Sequence, residues 1–508
     1  MKISNSRKEK TIINTFFGSL NRICNIFLSF LFRSIFIYSL GVEYAGVSAL
    51  FTDILTVLSF AELGIGTAIV TALYVPLRDD DRKQIRKLML FYKNAYRIIS
   101  VVILCVGLTI IPFLDYLIKD VPNVKESISF IFVFYILKTS ASYLLIYKTT
   151  ILIADQKQYM VKIREIICSF VRYIIEAIVL LILKNFILYL LLELIITILQ
   201  NLYITAVATK KYPYAFEKSD DRLGKTEVRN LLKDIKSLAM YKISGTIGNS
   251  IDNILVSSFL GTIQIGILSN YTLIQKQVEQ MLNQFFQALT PSIGNLAAEL
   301  EGVFQYNAFN RIFYLSFVVV NFCASSLFVL YRPFINLWLG PEFLLDDTIA
   351  FIIAFDFFLY VLLQAIASFR TANGLFIKGQ YRPLIMACLN IILSIVFIKK
   401  FGIFGTIFAT SVCRLLTQWY DPFILFKYVF KTNFKKFYFR YIFYILIFLI
   451  SASVTYGISE LFYGDSELLR FIYVCCCCVF IPNFIAMLFT FKLNEFRYFA
   501  EFIKSQIR

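Results

Sequence analysis

The sequence predicts an all-helical protein that crosses a membrane about fourteen times, as two six-helix lobes followed by two further helices. Hydrophobic residues make up 59% of its 508 residues and charged residues only 16%, whereas soluble proteins are closer to half apolar and a quarter charged. Its 54 Phe and 31 Tyr stand against only 10 Pro. Such bulky, uninterrupted apolar sequence excludes a water-soluble globular enzyme.

The charge balance and the residue types exclude further classes of function. Lys and Arg outnumber Asp and Glu by 50 to 33, a net charge of +17. In a membrane protein this surplus indicates basic cytoplasmic loops, so no nucleic-acid partner is expected. The chain has no histidine, which removes His-based metal sites and Ser/His/Asp nucleophiles. We therefore expect no catalytic residue, no metal site and no cofactor.

The individual spans follow from the apolar stretches, because a hydrocarbon core of about 30 Å needs about 20 apolar residues per helix. Short charged breaks or breaks marked by Pro and Gly separate them. The predicted spans are 12–38, 44–75, 92–114, 127–152, 163–183, 186–208, 238–260, 264–290, 309–331, 347–369, 383–400, 402–426, 440–458 and 468–491.

Basic residues set the orientation of these spans. With the amino terminus inside, the inner segments and the span ends that adjoin them hold 36 of the 50 Lys and Arg, and the outer breaks with their adjoining span ends hold seven. The positive-inside rule then places both termini in the cytoplasm and the protein in the cell (inner) membrane. The first apolar stretch contains Arg22 and Arg33 and lacks a small-residue cleavage site, so we interpret it as a retained span rather than a signal peptide.

An internal repeat defines the predicted domains. The segment that starts at Leu40, LGVEYAGVSALFT, recurs at Leu260 as LGTIQIGILSNYT with an offset of 220 residues. Both copies join an outward helix to an inward one, as in a parallel repeat, although glycine turns between helices also resemble each other by chance. The predicted lobes are 1–230 and 231–430, and 431–508 holds the two extra helices and a cytoplasmic tail.

Polar faces within the spans locate the candidate site, because ionisable residues at membrane depth need a wet cavity or a partner. Spans 1 and 7 each gather polar residues within an arc of roughly 120–140°, and span 8 is polar along one side. We expect these faces to line one cavity. The substrate-binding candidates are Arg22, Asn25, Arg33, Asn249, Lys276, Gln280 and Asn283.

Some of the charged residues have a second interpretation. Arg22 and Arg33 have no acidic residue at i±3 or i±4, which favours a cavity role. Lys276 could pair locally with Glu279. Asp53 and Asp252 are the candidates for ion coupling, and a hydrogen-bonded structural role fits them equally.

Two regions of the sequence resemble a known family. The first runs from GVSALFTDIL at Gly46 through LSFAELGIGTAI at Leu58 to LYVPL at Leu73. The second comprises DNILVSSFLG at Asp252, SNYTLI at Ser269 and PSIGNL at Pro291. Together they resemble the bacterial repeat-unit flippases for capsule and O-antigen polysaccharides. The resemblance implies the multidrug/oligosaccharidyl-lipid/polysaccharide exporter superfamily, with two six-helix bundles around a cationic cavity.

The resemblance also implies a function: alternating access that carries an undecaprenyl-diphosphate-linked oligosaccharide to the outer leaflet, with no bond made or broken. Guanidinium groups suit a diphosphate, and amide side chains suit sugars. The expected partners are this lipid-linked substrate, membrane lipids, and polysaccharide polymerase and export proteins. A drug/cation antiporter and a peptidoglycan-precursor flippase of the same superfamily are the alternatives.

Overall fold

The fold was analysed on a computed structural model, which describes residues 7–62, 64–120, 122–217, 222–299, 302–375, 378–379, 381–462 and 466–507. Throughout these residues the regular structure is helical, and no strand occurs among them. The chain divides into two compact units, Met1–Gly266 and Ile267–Arg508. The predicted lobe boundary at 230/231 stays a prediction, because compactness does not test a repeat.

Unit 1 is built from ten helices and the start of an eleventh in its described part. They are α1 (Arg7–Leu40), α2 (Val42–Leu58), α3 (Ile65–Arg78), α4 (Arg82–Ile110), α5 (Leu114–Leu117), α6 (Ile128–Ile146), α7 (Thr150–Ala154), α8 (Gln158–Leu183), α9 (Phe186–Lys211) and α10 (Lys225–Leu260). Helix α11 (Thr262–Glu299) begins in the last residues of unit 1 and continues into unit 2.

Unit 2 continues with eight further helices along its described residues. They are α12 (Val303–Trp338), α13 (Asp347–Leu362), α14 (Gln364–Ala372), α15 (Arg382–Thr417), α16 (Tyr420–Leu425), α17 (Phe434–Ser459), α18 (Glu467–Thr490) and α19 (Asn494–Ile507). A short π-helical turn, Phe426–Phe430, connects α16 to the segment before α17.

The predicted spans fall on these helices, except that the predicted span 44–75 is divided between α2 and α3, which are separated by the turn Ser59–Glu62 and by Gly64. Both of the shortest predicted breaks are present. Helix α8 ends at Leu183, and the side chain of Asn185 caps α9 by accepting a hydrogen bond from Leu188 N at 2.9 Å. Gly402 interrupts α15 with φ 58° and ψ −137°. Ten helical segments of the described chain are long and apolar enough to cross a membrane. The predicted all-helical, multi-pass fold is confirmed.

Helix α2 forms the centre of unit 1. It packs against α1, α6 and α10, and it buries Ala45, Gly46, Val47 and Phe51. These residues point in different directions around a helix that advances 100° per residue, so α2 is enclosed on most sides. A helix with this environment needs apolar residues all round, which explains its weak amphipathicity.

The core of unit 2 is aromatic and includes the two C-terminal spanning helices. Phe317 of α12 stacks on Tyr444 of α17 with ring centroids 3.9 Å apart, and Phe313 contacts Phe437 at 5.2 Å. Buried Asn321 of α12 donates to Ser451 Oγ and to the carbonyl of Pro482 in α18, both at 3.3 Å. Helices α17 and α18 are therefore integral to unit 2.

The two copies of the predicted repeat share an unusual backbone conformation. Gly41 separates α1 from α2 with φ 95° and ψ 173°, and Gly261 separates α10 from α11 with φ 97° and ψ 169°. A non-glycine residue rarely adopts such a positive φ. The same one-residue turn at an offset of 220 residues supports a structural repeat rather than a chance similarity.

Candidate functional site: polar and charged side chains within the spanning helices

The first half of the polar face of α1 packs against the start of α8. Asn14 donates to the carbonyl of Gln156 at 2.9 Å and accepts from the backbone of Tyr159 at 2.8 Å. Farther along, Asn21 donates to Glu165 at 3.1 Å. The helical arc identified this face correctly, but its neighbour in this half is another helix of unit 1.

The candidates Asn25 and Arg22 lie beside this contact. Asn25 donates to the backbone carbonyl and to the side-chain oxygen of Asn21, at 2.7 and 2.9 Å. Asn25, Asn21 and Glu165 therefore form a continuous chain of hydrogen bonds. Arg22 is half-buried on the next position of the helix. Arg22 and Asn25 are three residues apart and therefore share one side of the helix, which places this cation on the polar face of α1.

Arg33 lies in the second half of α1. Its guanidinium donates to the carbonyl oxygen of Gly266 at 3.1 Å, so it joins α1 to the first turns of α11. The side chain is half-buried, and Tyr135 of α6 lies within electrostatic range.

Ion pairs involve charged side chains of α6, α8 and α9, and sequence reasoning missed the one that joins two helices. Lys138 of α6 forms an ion pair with Glu193 of α9, and Arg172 lies 4.0 Å from Glu176 in α8. Glu176 is only 2% exposed. Glu193 was not among the candidates, although a single acid within span 186–208 was a signal that a cationic partner had to exist elsewhere.

The two candidates for ion coupling lie near the contact between α2 and α10. Asp53 is 8% exposed and accepts a hydrogen bond from the amide of Asn253 at 2.6 Å. Asp252 is half-buried in the neighbouring position. The arrangement satisfies Asp53 structurally, and its predicted coupling role stays a prediction. The side chain of Asn249 lies outside the described residues.

The candidates in unit 2 lie along α11. Lys276 and Gln280 are exposed, and Asn283 is half-buried. Glu279, on the same helix, is within electrostatic range of Lys276 and forms a side-chain hydrogen bond with Asn283. Lys276 and Glu279 therefore interact electrostatically on the polar side of α11, as the sequence allowed.

A second buried ion pair continues this polar region within unit 2 and was not predicted. Arg414 of α15 donates through Nε to Asp356 of α13 at 2.7 Å, and its guanidinium lies 4.7 Å from the ring of Tyr360. Glu279 is within electrostatic range of both charges. The sequence marked Arg414 as deep within a span, but it did not indicate Asp356 as the partner.

Comparison with solved structures identifies the fold, whereas comparison with sequences finds no relative. No family model matches the sequence, and no curated protein sequence matches it significantly. Among solved structures, the lipid II flippase MurJ in an inward closed conformation has a TM-score of 0.68 at 17% identity, over 95% of this chain and 99% of that one.

Multidrug transporters also share the fold. The Vibrio cholerae MATE transporter VcmN has a TM-score of 0.57 at 12% identity, over 84% of this chain and 99% of that one. An inward-facing MATE family transporter of the MOP superfamily has a TM-score of 0.54 at 13% identity, over 80% and 95%. The chain is thus a multi-pass membrane protein with the fold of MOP-superfamily exporters. Among these three structures, the MurJ flippase matches the largest share of this chain.

Proposed function

We propose that this protein is a flippase that moves a polyprenyl-diphosphate-linked oligosaccharide from the cytoplasmic to the outer leaflet of the cell membrane. The substrate would be a repeat unit of capsule, O-antigen or exopolysaccharide. The fold supports a transporter, and the resemblance of the sequence motifs supports this substrate class. No bond changes, so binding and conformational change account for the whole cycle.

The observation that carries the proposal is the pair of arginines on α1. Arg22 and Arg33 lie within a helix that is long and apolar enough to cross the membrane, where cations are costly. Guanidinium groups bind phosphate oxygens through two parallel hydrogen bonds. A diphosphate head group is the part of the proposed substrate that needs such cations during passage through the bilayer.

The remaining candidates are assigned to the sugars and to energy coupling. Gln280, Asn283 and Asn249 carry amides, which donate and accept hydrogen bonds as sugar hydroxyls require. Asp53 or Asp252 would couple the cycle to an ion gradient. The polyprenyl tail would remain in lipid, and a polysaccharide polymerase and export proteins would take the product outside. Both termini would lie in the cytoplasm.

The drug/cation antiporter needs a carboxylate available for an organic cation. Glu193 and Asp356 are paired with cations. Asp53 accepts a hydrogen bond from the neutral amide of Asn253, which does not neutralise a carboxylate, so the antiporter stays compatible with the structure. A peptidoglycan-precursor flippase is compatible with the same cations, since its substrate is also a lipid diphosphate. The sequence motifs favour the polysaccharide branch.

The test is a gene deletion in the host, followed with radiolabelled sugar. Polyprenyl-linked oligosaccharide should accumulate while surface polysaccharide disappears, and the wild-type gene should restore export. Arg22→Ala should insert normally and fail to restore it, because the diphosphate loses a cation. Arg470→Ala is the matched control, since Arg470 lies in the first turn of α18, where it pairs with Glu460 at 2.9 Å.

Two results would contradict the proposal in different ways. Full export by the Arg22→Ala protein would remove this residue from the binding site. Unchanged lipid-linked pools and normal surface polysaccharide in the deletion strain would overturn the substrate class, and drug efflux by the expressed protein would then favour the antiporter.

A further inference from the structure

Helix α2 and the first turn of α11 cross at an unusually short distance, and both belong to unit 1. A methyl group built on Gly46 would lie 2.0 Å from the carbonyl oxygen of Thr262. One built on Gly266 would lie 2.4 Å from the carbonyl oxygen of Val42. No side chain larger than hydrogen fits at either position, so the two backbones are in direct contact. We name these four residues the glycine crossing.

The glycine crossing is reciprocal because it follows the internal repeat. Gly46 and Gly266 are equivalent at the offset of 220 residues, and so are Val42 and Thr262. Each glycine faces the first residue of the other copy's second helix. The two helices therefore meet about a local pseudo-twofold axis, immediately after the matched turns at Gly41 and Gly261.

Two donor side chains that join the copies occupy equivalent positions in the repeat, but they differ in chemistry and in the acceptors that they meet. Arg33 and Asn253 are equivalent positions, and each reaches across to the other copy. Arg33 donates to the carbonyl of Gly266 at 3.1 Å, whereas Asn253 donates to Asp53 at 2.6 Å. One contact thus depends on a neutral amide, and the other depends on a cation that phosphate oxygens can attract.

We propose that the glycine crossing is an outer gate and that Arg33 is its latch, which a lipid diphosphate releases. The inference rests on the proposed function. A carbonyl oxygen is a neutral acceptor, and a diphosphate is a far stronger partner for a guanidinium. When the diphosphate draws Arg33 away from Gly266, the crossing loses a charge-assisted hydrogen bond. Opening at this point is then favoured once cargo is bound.

In an alternating-access cycle, the glycine crossing and Arg33 would control when the protein opens outward. The matched glycine turns belong to the segments predicted to face outward, so the crossing must part for outward release of substrate. A latch that loosens only for a bound diphosphate would suppress opening of the empty protein. It would also limit leakage of ions through the same path.

The experiment measures accessibility of a buried position beside the gate. Val47 follows Gly46 and is 0% exposed, and Val47→Cys preserves its small apolar character. In a background with the ten native cysteines replaced, the protein is reconstituted in liposomes and treated with a membrane-impermeant maleimide on either side. The ligands are undecaprenyl diphosphate, undecaprenol as its phosphate-free control, and inorganic pyrophosphate.

The expected results separate the latch from the crossing. Undecaprenyl diphosphate should accelerate outer labelling of the Val47→Cys protein, and undecaprenol should not. Arg33→Gln should label about tenfold faster without ligand, the size expected for loss of one hydrogen bond to a charged group, and it should no longer respond to diphosphate. Arg33→Lys, which keeps a cationic donor, should lie between these rates.

Control variants test whether the effect is local. Gly266→Ala should label rapidly with or without ligand, because its methyl group holds the helices apart. Gly457→Ala has no atom within 4 Å of the new methyl group and should label at the parental rate. Arg470→Gln removes an arginine of α18 that pairs with Glu460 at 2.9 Å, and it should also leave the rate unchanged.

Each contrary outcome identifies what has failed. Parental labelling rates in Arg33→Gln and in Gly266→Ala would overturn the gate and its latch, whatever the substrate is. Faster labelling of Arg33→Gln, together with no response of the parental Val47→Cys protein to undecaprenyl diphosphate, would overturn the ligand-sensing step. Normal export in the deletion strain would then locate the error in the proposed function. Acceleration by pyrophosphate alone would show that the head group suffices, which supports the latch.

Discussion

The buried ion pair between Asp356 and Arg414 allows a quantitative prediction about unit 2. The two charges meet at 2.7 Å, and the arginine side chain is 8% exposed. Removing one member of a buried pair leaves the other charge without compensation, which costs about 3–5 kcal/mol. Arg414→Met and Asp356→Leu should each destabilise unit 2 by this amount, a fall in melting temperature on the order of 10 °C for a unit of this size.

The double variant distinguishes a coupled pair from two independent contacts. Replacement of both members by apolar residues removes both desolvation penalties and is often nearly neutral. The protein with both Asp356→Leu and Arg414→Met should therefore recover most of the lost stability. The coupling energy should exceed about 2 kcal/mol, well above the scatter of about 0.3–0.5 kcal/mol found for independent sites.

The assay is thermal unfolding of the purified protein in one detergent, followed by intrinsic fluorescence and by retention of the monodisperse peak after heating. Arg332→Ala is the control, because its pair with Asp347 is solvent-exposed and should contribute no more than about 1 kcal/mol. Additive losses in the double variant, or an Arg414→Met protein as stable as the control, would refute the reasoning.

Two further predictions concern the start of α10 and the bend in α15. The pKa of Glu227 is lowered by hydrogen bonds from Gly224 N–H and from a glutamine amide. This contact therefore stabilises the start of α10 above the usual carboxyl pKa, and the stabilisation is lost as pH falls through the lowered pKa. Glu227→Gln should flatten this pH dependence, measured as hydrogen exchange of the first turn of α10 and corrected for intrinsic exchange rates. Gly405→Ala would place a methyl group 2.3 Å from the carbonyl oxygen of Phe397. It should lower the melting temperature by several degrees, because overpacking typically costs about 1–3 kcal/mol. Equal melting temperatures of the Gly405→Ala and Gly457→Ala proteins would show instead that the bend in α15 adapts to the methyl group.

The spans and their breaks could be predicted because they depend on local sequence. A bilayer imposes a fixed apolar length, and a chain of alternating apolar and charged segments satisfies it in few ways. The break at Gly402 and the turns at Gly41 and Gly261 follow from the same local rules. Each lies where glycine interrupts an apolar run, and the backbone there has a positive φ.

The partners of the buried charges could not be predicted, because they depend on how helices rotate against each other. Lys138 and Glu193 are 55 residues apart, and Arg414 and Asp356 are 58 apart. The helical arc of α1 identified its polar face, yet the arc does not say which helix that face meets. Asn21 consequently contacts Glu165, a residue outside the candidate set.

The close packing of α12 with α17 and α18 has a consequence for biogenesis. Asn321 is made 130 residues before Ser451, its partner, and at synthesis rates of about 5–20 residues per second this is a delay of roughly 7–26 seconds. During that interval lipid offers its amide no hydrogen bond. The hydrogen bonds of Asn321 in α12 are therefore completed only when α17 and α18 have been made. A ribosome that stalls before α17 leaves this polar side chain exposed in the bilayer, as a substrate for membrane quality control.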